Sequence, residues 1–307
     1  MQVIEVARFG GPEVLRLAQR PEPVAGRGEV VVRVLAATVN PTDLGARAGR
    51  GPRDMPRPPF VLGWDFAGEV LSVGPGVRQP SPGDGVVGMI HWYSQAGGPG
   101  ATGAYAEQVV VPADGLVPLP NHLEPTLAAT IPLNGLTAVQ GLELLALPTP
   151  ATILVTGASG GVGSFAVQLA VQAGHRVIAM ASAGDDGWVR SLGAAEVLPR
   201  NADLGAVGPV PAVFDAVPLG EAALAAVADG GAIVSTRSVP RARPARHVRQ
   251  EMFLVRPDPA TLGALVSAVG AGNLHTRLDR VLPLAEAAQA HRLNEKGGLR
   301  GKVVLAP

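Results

Sequence analysis

Four glycines fall in seven residues: Gly157, Gly160, Gly161 and Gly163. Before them runs a short uncharged apolar stretch, Ala151 to Thr156. After them Val162, Phe165, Ala166, Leu169 and Ala170 recur at helical spacing. A buried strand, a glycine turn and an amphipathic helix are together the context in which a glycine cluster binds a dinucleotide. So tight a turn uses φ/ψ values that glycine adopts at little cost. A missing Cβ lets backbone approach a pyrophosphate, and free N–H groups at the positive end of a helix dipole hold it. Gly160, Gly161, Val162 and Gly163 are therefore candidate N–H donors, and Ser159 a candidate hydroxyl donor. Valine at Gly160 or Gly163 is expected to abolish cofactor binding in a folded protein. On the pattern G-x-G-x-x-G the slots are Ala158, Gly160 and Gly163, so the first glycine is alanine. The competing reading is a glycine turn that binds nothing.

An NAD site usually places Asp or Glu about 20 residues past the first glycine slot, to accept from the ribose. From Ile178 to Gly184 the chain reads IAMASAG, and Ser182 stands about where that carboxylate would be. Its omission removes a repulsion against a ribose phosphate. NADPH is the expected cofactor, with NADH the weaker alternative. The following loop supplies Asp185 and Asp186 but no Arg or Lys, and the two acids read as caps of the next helix.

Around the glycine turn, strand and helix patterns alternate. Strands are predicted at Arg176 to Met180, Ala195 to Leu198, Ala212 to Val217 and Ala232 to Thr236. Helices are predicted at Gly187 to Leu192 and Ala222 to Ala228. That alternation specifies a doubly wound parallel sheet. Ser235 and Thr236 end one of its strands, where ligands usually sit. Met252 to Val255 adds a strand. Upstream of Pro120 the chain instead shows many short strands with glycine turns, a barrel-like β pattern. Glu29 to Ala37 is its strongest strand, and Ala104 to Val111 another. Thr42 or Asp43 is expected to cap a short helix. Helices are read at Pro125 to Leu133 and Thr137 to Leu145. Strand, helix and strand close the chain at Arg280 to Leu282, Ala285 to Leu293 and Lys302 to Leu305.

The 307 residues suggest one large or two ordinary domains, and 47% apolar content is ample for a core. With 25 basic against 25 acidic side chains, nothing argues electrostatically for nucleic acid or an anionic membrane. Cysteine is absent, which removes disulfides, thiol nucleophiles and thiolate zinc sites. No signal-like N-terminal segment or membrane-length apolar run is visible, so a cytoplasmic protein is expected.

Further motifs accumulate along nearly the whole chain: VNPTDL (39–44), PPFVLGWDFAGEVLSVGPGV (58–77), GDGVVG (83–88), GAYAEQVVVP (103–112), LTAVQGL (136–142), VTGASGGVGSFAVQLA (155–170), LGAAEVL (192–198), VFDAV (213–217) and GKVVL (301–305). With these the chain resembles the zinc-free quinone oxidoreductase, or zeta-crystallin-like, branch of the medium-chain dehydrogenase/reductase superfamily. Alanine in the first glycine slot is usual in that branch. The resemblance implies an α/β protein with a GroES-like, β-barrel-type catalytic domain at 1–122 and 257–307. A Rossmann domain at 123–256 would be inserted between the two parts. It also implies NAD(P)H-dependent reduction of a quinone or α,β-unsaturated carbonyl by a homodimer, with the Met252 strand pairing across the dimer. A stand-alone enoyl reductase of natural-product biosynthesis, or a non-catalytic NADPH-binding sensor or partner protein, are the alternatives.

By the same resemblance Asn40 lies near the nicotinamide and the substrate oxygen; its other reading is the cap of the following turn. Thr137 stands beside the nicotinamide, or is a hydroxyl at a helix start. Phe253 and Val255 line the nicotinamide pocket or pack in the core, and Val217, after VFDA, joins the cofactor set. Arg200 stands where the branch often has a Tyr near the phosphate, and a charge-assisted contact from it competes with an ordinary surface arginine. Lys302 reaches the cofactor or is a solvated lysine. The proton donor is hard to find. Tyr105 reads as structural, while His91 and Tyr93, in the loose segment before it, are the candidates to touch substrate. Water can also supply the proton. The loops 45–60 and 90–103 would shape the substrate pocket.

Zinc enzymes of the superfamily carry Cys before Thr-Asp and Gly-His-Glu after the next strand. Here those places read Asn40-Pro41-Thr42-Asp43 and Gly63-Trp64-Asp65. Catalytic zinc needs about three protein ligands, and the six histidines are dispersed with no i, i+4 pair. Activity is therefore expected to survive EDTA or phenanthroline, with no stoichiometric zinc on elemental analysis. A zinc ion in each chain that activity requires would overturn the branch assignment.

Overall fold

The computed structural model describes residues 1–95, 100–237 and 240–307. Part of the 90–103 loop, residues 96–99, lies outside them. Two compact units are present. One comprises Met1–Leu133, Arg256–Asn273 and Arg277–Pro307; the other comprises Asn134–Val255 with Leu274–Thr276.

The first unit carries a mixed seven-stranded sheet. Along it run Leu278–Pro283, Lys302–Ala306, Glu29–Thr38, Asp65–Val73, Gly85–Met89 and Leu116–Pro118, while Gln108–Pro112 pairs separately with Glu29–Thr38. A three-stranded sheet joins Leu15–Gln19, Gln2–Val6 and Phe60–Val61. The valines of Glu29–Thr38 are buried, as their β-branched shapes favour on a covered sheet. Two registers set the position of the polar residues. Val304 faces Thr38 in one antiparallel pairing, and Thr38 faces Asp65 in the next. Three distant parts of the sequence thereby end side by side.

The second unit holds a six-stranded sheet, parallel at every described pairing. Its order is Glu196–Pro199, Arg176–Ala181, Thr152–Thr156, Val210–Asp215, Val227–Ser235, Arg249–Met252. Numbered by sequence, that is the doubly wound order 3-2-1-4-5-6. Leu154, Ile178, Met180, Val213 and Ile233 pack a core with Leu224 of the helix Glu221–Ala225.

Several boundaries differ from expectation, for local reasons. The edge strand is Arg249–Met252, and the apolar Met252–Val255 run only begins within it. An edge strand has one side unpaired and tolerates polar residues such as Arg249, Gln250 and Glu251. The strand near Ala104 is confined to Gln108–Pro112, which leaves buried Tyr105 in the connection before it. A helix begins at Pro132 and runs to Leu145, proline being favoured at a first helical position. Thr137 is consequently mid-helix and not at a helix start. The short helix Pro41–Arg47 has Asn40 at its N-cap position, with Asp43 in its first turn. Thr42 is inside the helix, while Asp43, at the third helical position, accepts from the Asn40 N–H as the acid of a capping box.

Candidate functional site

In the first unit two candidates, Asn40 and Lys302, meet in a buried polar cluster. Asn40, two residues past the strand Glu29–Thr38, is fully buried. Its Nδ2 donates to Asp65 Oδ2 at 2.9 Å and to the Thr38 carbonyl at 3.4 Å. Its Oδ1 accepts from Lys302 Nζ at 2.7 Å. The side chain therefore faces the carboxylate and the ammonium, while the residue also holds the N-cap position of the helix. Lys302 is only 8% exposed, which overturns the solvated-lysine reading. Register explains the burial: this lysine opens a strand whose Val304 faces Thr38, and Val39 N–H donates to Val303 O.

Both acids beside this amide are held by the backbone. Asp65 Oδ1 accepts from Leu133 N–H at 2.9 Å. Asp43 accepts from Asn40 N–H at 2.8 Å and Gly63 N–H at 3.2 Å. Burial pushes each carboxyl up to about 7, against these bonds and the charge of Lys302. Burial likewise brings Lys302 down to about 8, which Asp65 and Asp43 oppose.

Behind Asp43 the polar groups continue. Arg47 donates to His291 Nδ1 at 3.2 Å and pairs with Glu295, and His291 Nε2 meets Tyr105 OH at 3.2 Å. Arginine has no acceptor and stays charged, so Nδ1 must accept and Nε2 must carry the ring proton. The phenol then donates to Asp43, a contact that with burial holds Tyr105 protonated, well above its ordinary pKa. Burial and the Arg47 charge lower His291 to about 3. Tyr105 is structural, as its sequence context implies; the Arg47–His291 end has no counterpart among the sequence candidates.

His91 and Tyr93 both lie against Trp64. The indole meets the Tyr93 ring edge-on at 5.0 Å and lies 6.0 Å from His91. Tyr93 OH accepts from Thr42 Oγ1 at 3.2 Å. His91 is half-buried, and burial followed by the nearby Arg256 charge lowers its pKa. Trp64 occupies the imidazole position of the zinc enzymes. Among the described residues no three His, Cys, Asp or Glu side chains gather as a metal-binding group.

The second unit carries the glycine turn. Gly157 has φ +59°, so the left-handed residue precedes the Ala158 slot and supplies the turn that a first glycine would. A Cβ on Gly157 would come 2.2 Å from Val217 Cγ2. The helix Gly161–Gln172 begins after Gly160. A Cβ on Gly163 would meet Gly157 O at 2.2 Å and Ala158 Cα at 2.9 Å, so this glycine serves close helix–strand packing. Among the described residues, a Cβ on Gly160 would meet Gly157 O alone, at 3.2 Å. That contact is tight but milder than the one at Gly163, and the helix N-terminus it stands at fits a phosphate. The site thus fits the expected dinucleotide.

Other candidates of this unit sit at the carboxyl ends of its strands. Ser182 and Arg200 directly succeed Ala181 and Pro199, which are register partners. Both therefore leave the sheet at one edge, and Arg200 is exposed. Thr156 Oγ1 donates to Asp215 Oδ1 at 2.6 Å and accepts from Val217 N–H at 3.2 Å. Two strand ends on either side of the order reversal are thereby tied together. Asp215 and Thr156 were not singled out by sequence. Ser235 is buried and accepts from Arg237 N–H, while Thr236 is half-buried. Phe253 packs near Gly141, and Val255 is buried. Thr137 is buried in its helix. Asp185 holds the N-cap position of Asp186–Ser191 without a side-chain cap bond, and Asp186 pairs with Arg190.

Known proteins share this architecture. A family model described as the alcohol dehydrogenase GroES-like domain matches residues 26–121, and one described as zinc-binding dehydrogenase matches 192–305. A chloroplast envelope quinone oxidoreductase homolog of Arabidopsis thaliana is 32% identical, over 97% of this chain and 95% of its own length. An NADPH-dependent alkenal/one oxidoreductase of the same plant is 30% identical, over 97% of this chain and 78% of its own. The structure of a quinone oxidoreductase from Coxiella burnetii superposes with a TM-score of 0.89 at 31% identity, covering 100% of this chain and 99% of the other.

Gly160 and Gly163 differ in how much they bear on stability, which corrects the expectation of an equally well-folded protein at both positions. Gly163→Val drives a Cβ into backbone and should lower stability by about 1–3 kcal/mol, the usual cost of overpacking. Gly160→Val should lower the melting temperature less than Gly163→Val does and weaken cofactor binding about tenfold or more, roughly 1.4 kcal/mol or above. Thermal melts and a fluorescence titration with NADPH measure both. Unchanged NADPH affinity in Gly160→Val would sink the pyrophosphate assignment.

Proposed function

The chain belongs to the quinone oxidoreductase branch of the medium-chain dehydrogenase/reductase superfamily, and on that premise we propose that it reduces a quinone or α,β-unsaturated carbonyl with NADPH. The observation that carries the reading is the glycine turn between the strand Thr152–Thr156 and the helix Gly161–Gln172, with Gly160 at the N-cap position. Similarity to a quinone oxidoreductase homolog and to an alkenal/one oxidoreductase supports the substrate class.

When bound, NADPH supplies a hydride. In this reading Gly160, Gly161, Val162 and Gly163 hold the pyrophosphate through backbone N–H groups, with Ser159 beside them. Ser182 leaves the ribose phosphate unopposed, and Arg200 gives it a charge. Val217, Ser235 and Thr236 border the cofactor at the strand ends, and Thr137, Phe253 and Val255 serve the nicotinamide. His91 and Tyr93 face the substrate from the wall built on Trp64. Neither Asn40 nor Trp64 can offer the thiolate or imidazole of the zinc enzymes. The acceptors that suit this site carry their new negative charge on a delocalised enolate or hydroquinone oxygen. A homodimer through the edge strand Arg249–Met252 completes the proposal. Met252, at its end, is 58% exposed.

Consumption of NADPH with 1,4-benzoquinone, 9,10-phenanthrenequinone and a short enoyl thioester tests the activity. Tight NADPH binding without turnover of any of them would favour a sensor or partner protein. NADPH should be used better than NADH by a modest factor. Arg200→Ala should raise KM for NADPH and leave that for NADH unchanged. Its effect should be about fivefold at most, because an exposed charge contact contributes at most ~1 kcal/mol. Equal or better use of NADH by the unmodified protein would show that omitting the ribose-binding acid does not decide specificity.

A further inference from the structure

A buried ammonium normally finds anionic or several polar partners. Lys302 has one hydrogen bond among the described residues, to the neutral amide oxygen of Asn40. No ion pair joins it directly to Asp65 or Asp43. Two of its three N–H donors are thus unused in a place from which water is nearly excluded.

Counting hydrogen-bond capacity shows that the neighbours do not absorb them. Asn40 gives its two amide hydrogens to Asp65 and Thr38 O, so this amide has no donor left for a substrate. Asp65 is engaged by Leu133 N–H and Asn40. Asp43 is engaged by Asn40 N–H, Gly63 N–H and Tyr105. Among the described residues, the free donors of the cluster are those of Lys302, and Trp64 Nε1 is also buried without a partner.

Residue choice points the same way. Of the 25 lysines and arginines, only Lys296 and Lys302 are lysines. Arginine does not release its proton in proteins, whereas a buried lysine can. In this arginine-rich chain, one of two exchangeable cations is enclosed beside Asn40.

We infer that Lys302 is the hydrogen-bond donor and proton source for the substrate oxygen that gains charge during reduction. This deepens the oxidoreductase reading and rests on it. A hydride, supplied with its electron pair by the reduced nicotinamide, bonds to the far carbon of a conjugated C=C–C=O group. The π electrons move to oxygen, an N–H bond of Lys302 breaks, and an O–H bond forms. The products are an enol, which water converts to the ketone, an oxidised cofactor and a neutral amine. A quinone likewise takes one hydride and one proton to become the hydroquinone. Water returns the proton to Lys302 before the next turnover.

The groups facing this ammonium suit that cycle. Asp65 on its strand and Asp43 on its helix favour the charged form, burial disfavours it, and the balance lies at about 8. Beyond Asp43, Tyr105 stays protonated and His291 neutral, with Arg47 and Glu295 paired behind them. Lys302 is charged below about 8 and loses its proton as pH rises through that value. Its contribution to kcat should therefore fall on the alkaline side.

Two lysines make a direct test practical. Protein labelled with ¹³C-lysine should show two side-chain signals, assigned with Lys296→Arg. The Lys302 signal should titrate at about 8. Added 4-nitrophenol, a phenolate probe, should shift it alone even without cofactor. With an enone substrate, Lys302→Met should cut kcat by ~10²–10⁴, the usual range for losing a general acid, and change KM less. Lys302→Arg keeps the charge but not the exchangeable proton, and should lose the alkaline fall of kcat. Should Lys302→Met not fold, the arginine variant and the two signals decide. A Lys302 signal blind to the probe, turnover of Lys302→Met within about threefold of the parent, or an unchanged alkaline fall in Lys302→Arg would overturn the assignment. Where the parent turns over quinones and enones and Lys302→Met matches it, only this inference fails. A parent that reduces neither removes the oxidoreductase reading as well.

Discussion

The amide of Asn40 is the contact on which the first unit's polar interior depends. It joins Lys302 on one side to Asp65 on the other, spanning 262 residues of sequence in one direction and 25 in the other. An ammonium and a carboxylate buried without direct contact each carry a desolvation cost that distance alone would not recover. A fixed amide dipole between them meets the cation with its oxygen and the anion with its nitrogen. The amide orientation is dictated by its neighbours, because a lysine can only donate and an ionised carboxylate can only accept. Asn40 also opens the helix Pro41–Arg47, whose Asp43 takes the Asn40 N–H. Helix entry and polar cluster are therefore one construction.

In the second unit the comparable constraint is steric. Gly163 lies so close to Gly157 and Ala158 that a single added carbon would enter backbone. This closeness pins the head of the helix Gly161–Gln172 against the end of the strand Thr152–Thr156. Thr156 and Asp215 then tie that strand end to its neighbour across the order reversal. Gly160 is less confined, a Cβ there coming 3.2 Å from Gly157 O. Neighbouring glycines thus serve different ends, Gly157 for backbone conformation and Gly163 for packing.

How legible each feature was depends on how local its cause is. The glycine turn, its strand and its helix are specified within some twenty residues, and the structure has them where the spacing put them. The parallel sheet was legible because buried strands and amphipathic helices alternate in short range. The edge strand was displaced to Arg249–Met252 because its polar residues carry no hydrophobic pattern, while the apolar residues beyond it mimic a strand. The polar cluster was harder still. Lys302 looked like a terminal surface lysine because nothing near it in sequence discloses that its strand pairs with Glu29–Thr38. Reading that register from GKVVL against VLAATVN would have brought positions 302 and 40 opposite each other. Tyr105 was recognisable as structural, but its partner His291 comes 186 residues later, and no spacing rule connects them.

The chain of polar groups behind Asp43 adds a direction to this architecture. Arg47 can only donate, which fixes the proton of His291 on Nε2; His291 then donates to Tyr105, and Tyr105 to Asp43. Every member has its role set by the one before, beginning from a guanidinium whose other end meets half-exposed Glu295. The arrangement places a donor on Asp43 from the side away from Asn40, so that this carboxyl does not need the lysine as its partner. Asp65 is likewise supplied by Leu133 N–H and Asn40. The relay from Arg47 and the backbone donors at Asn40, Gly63 and Leu133 leave the ammonium its spare donors.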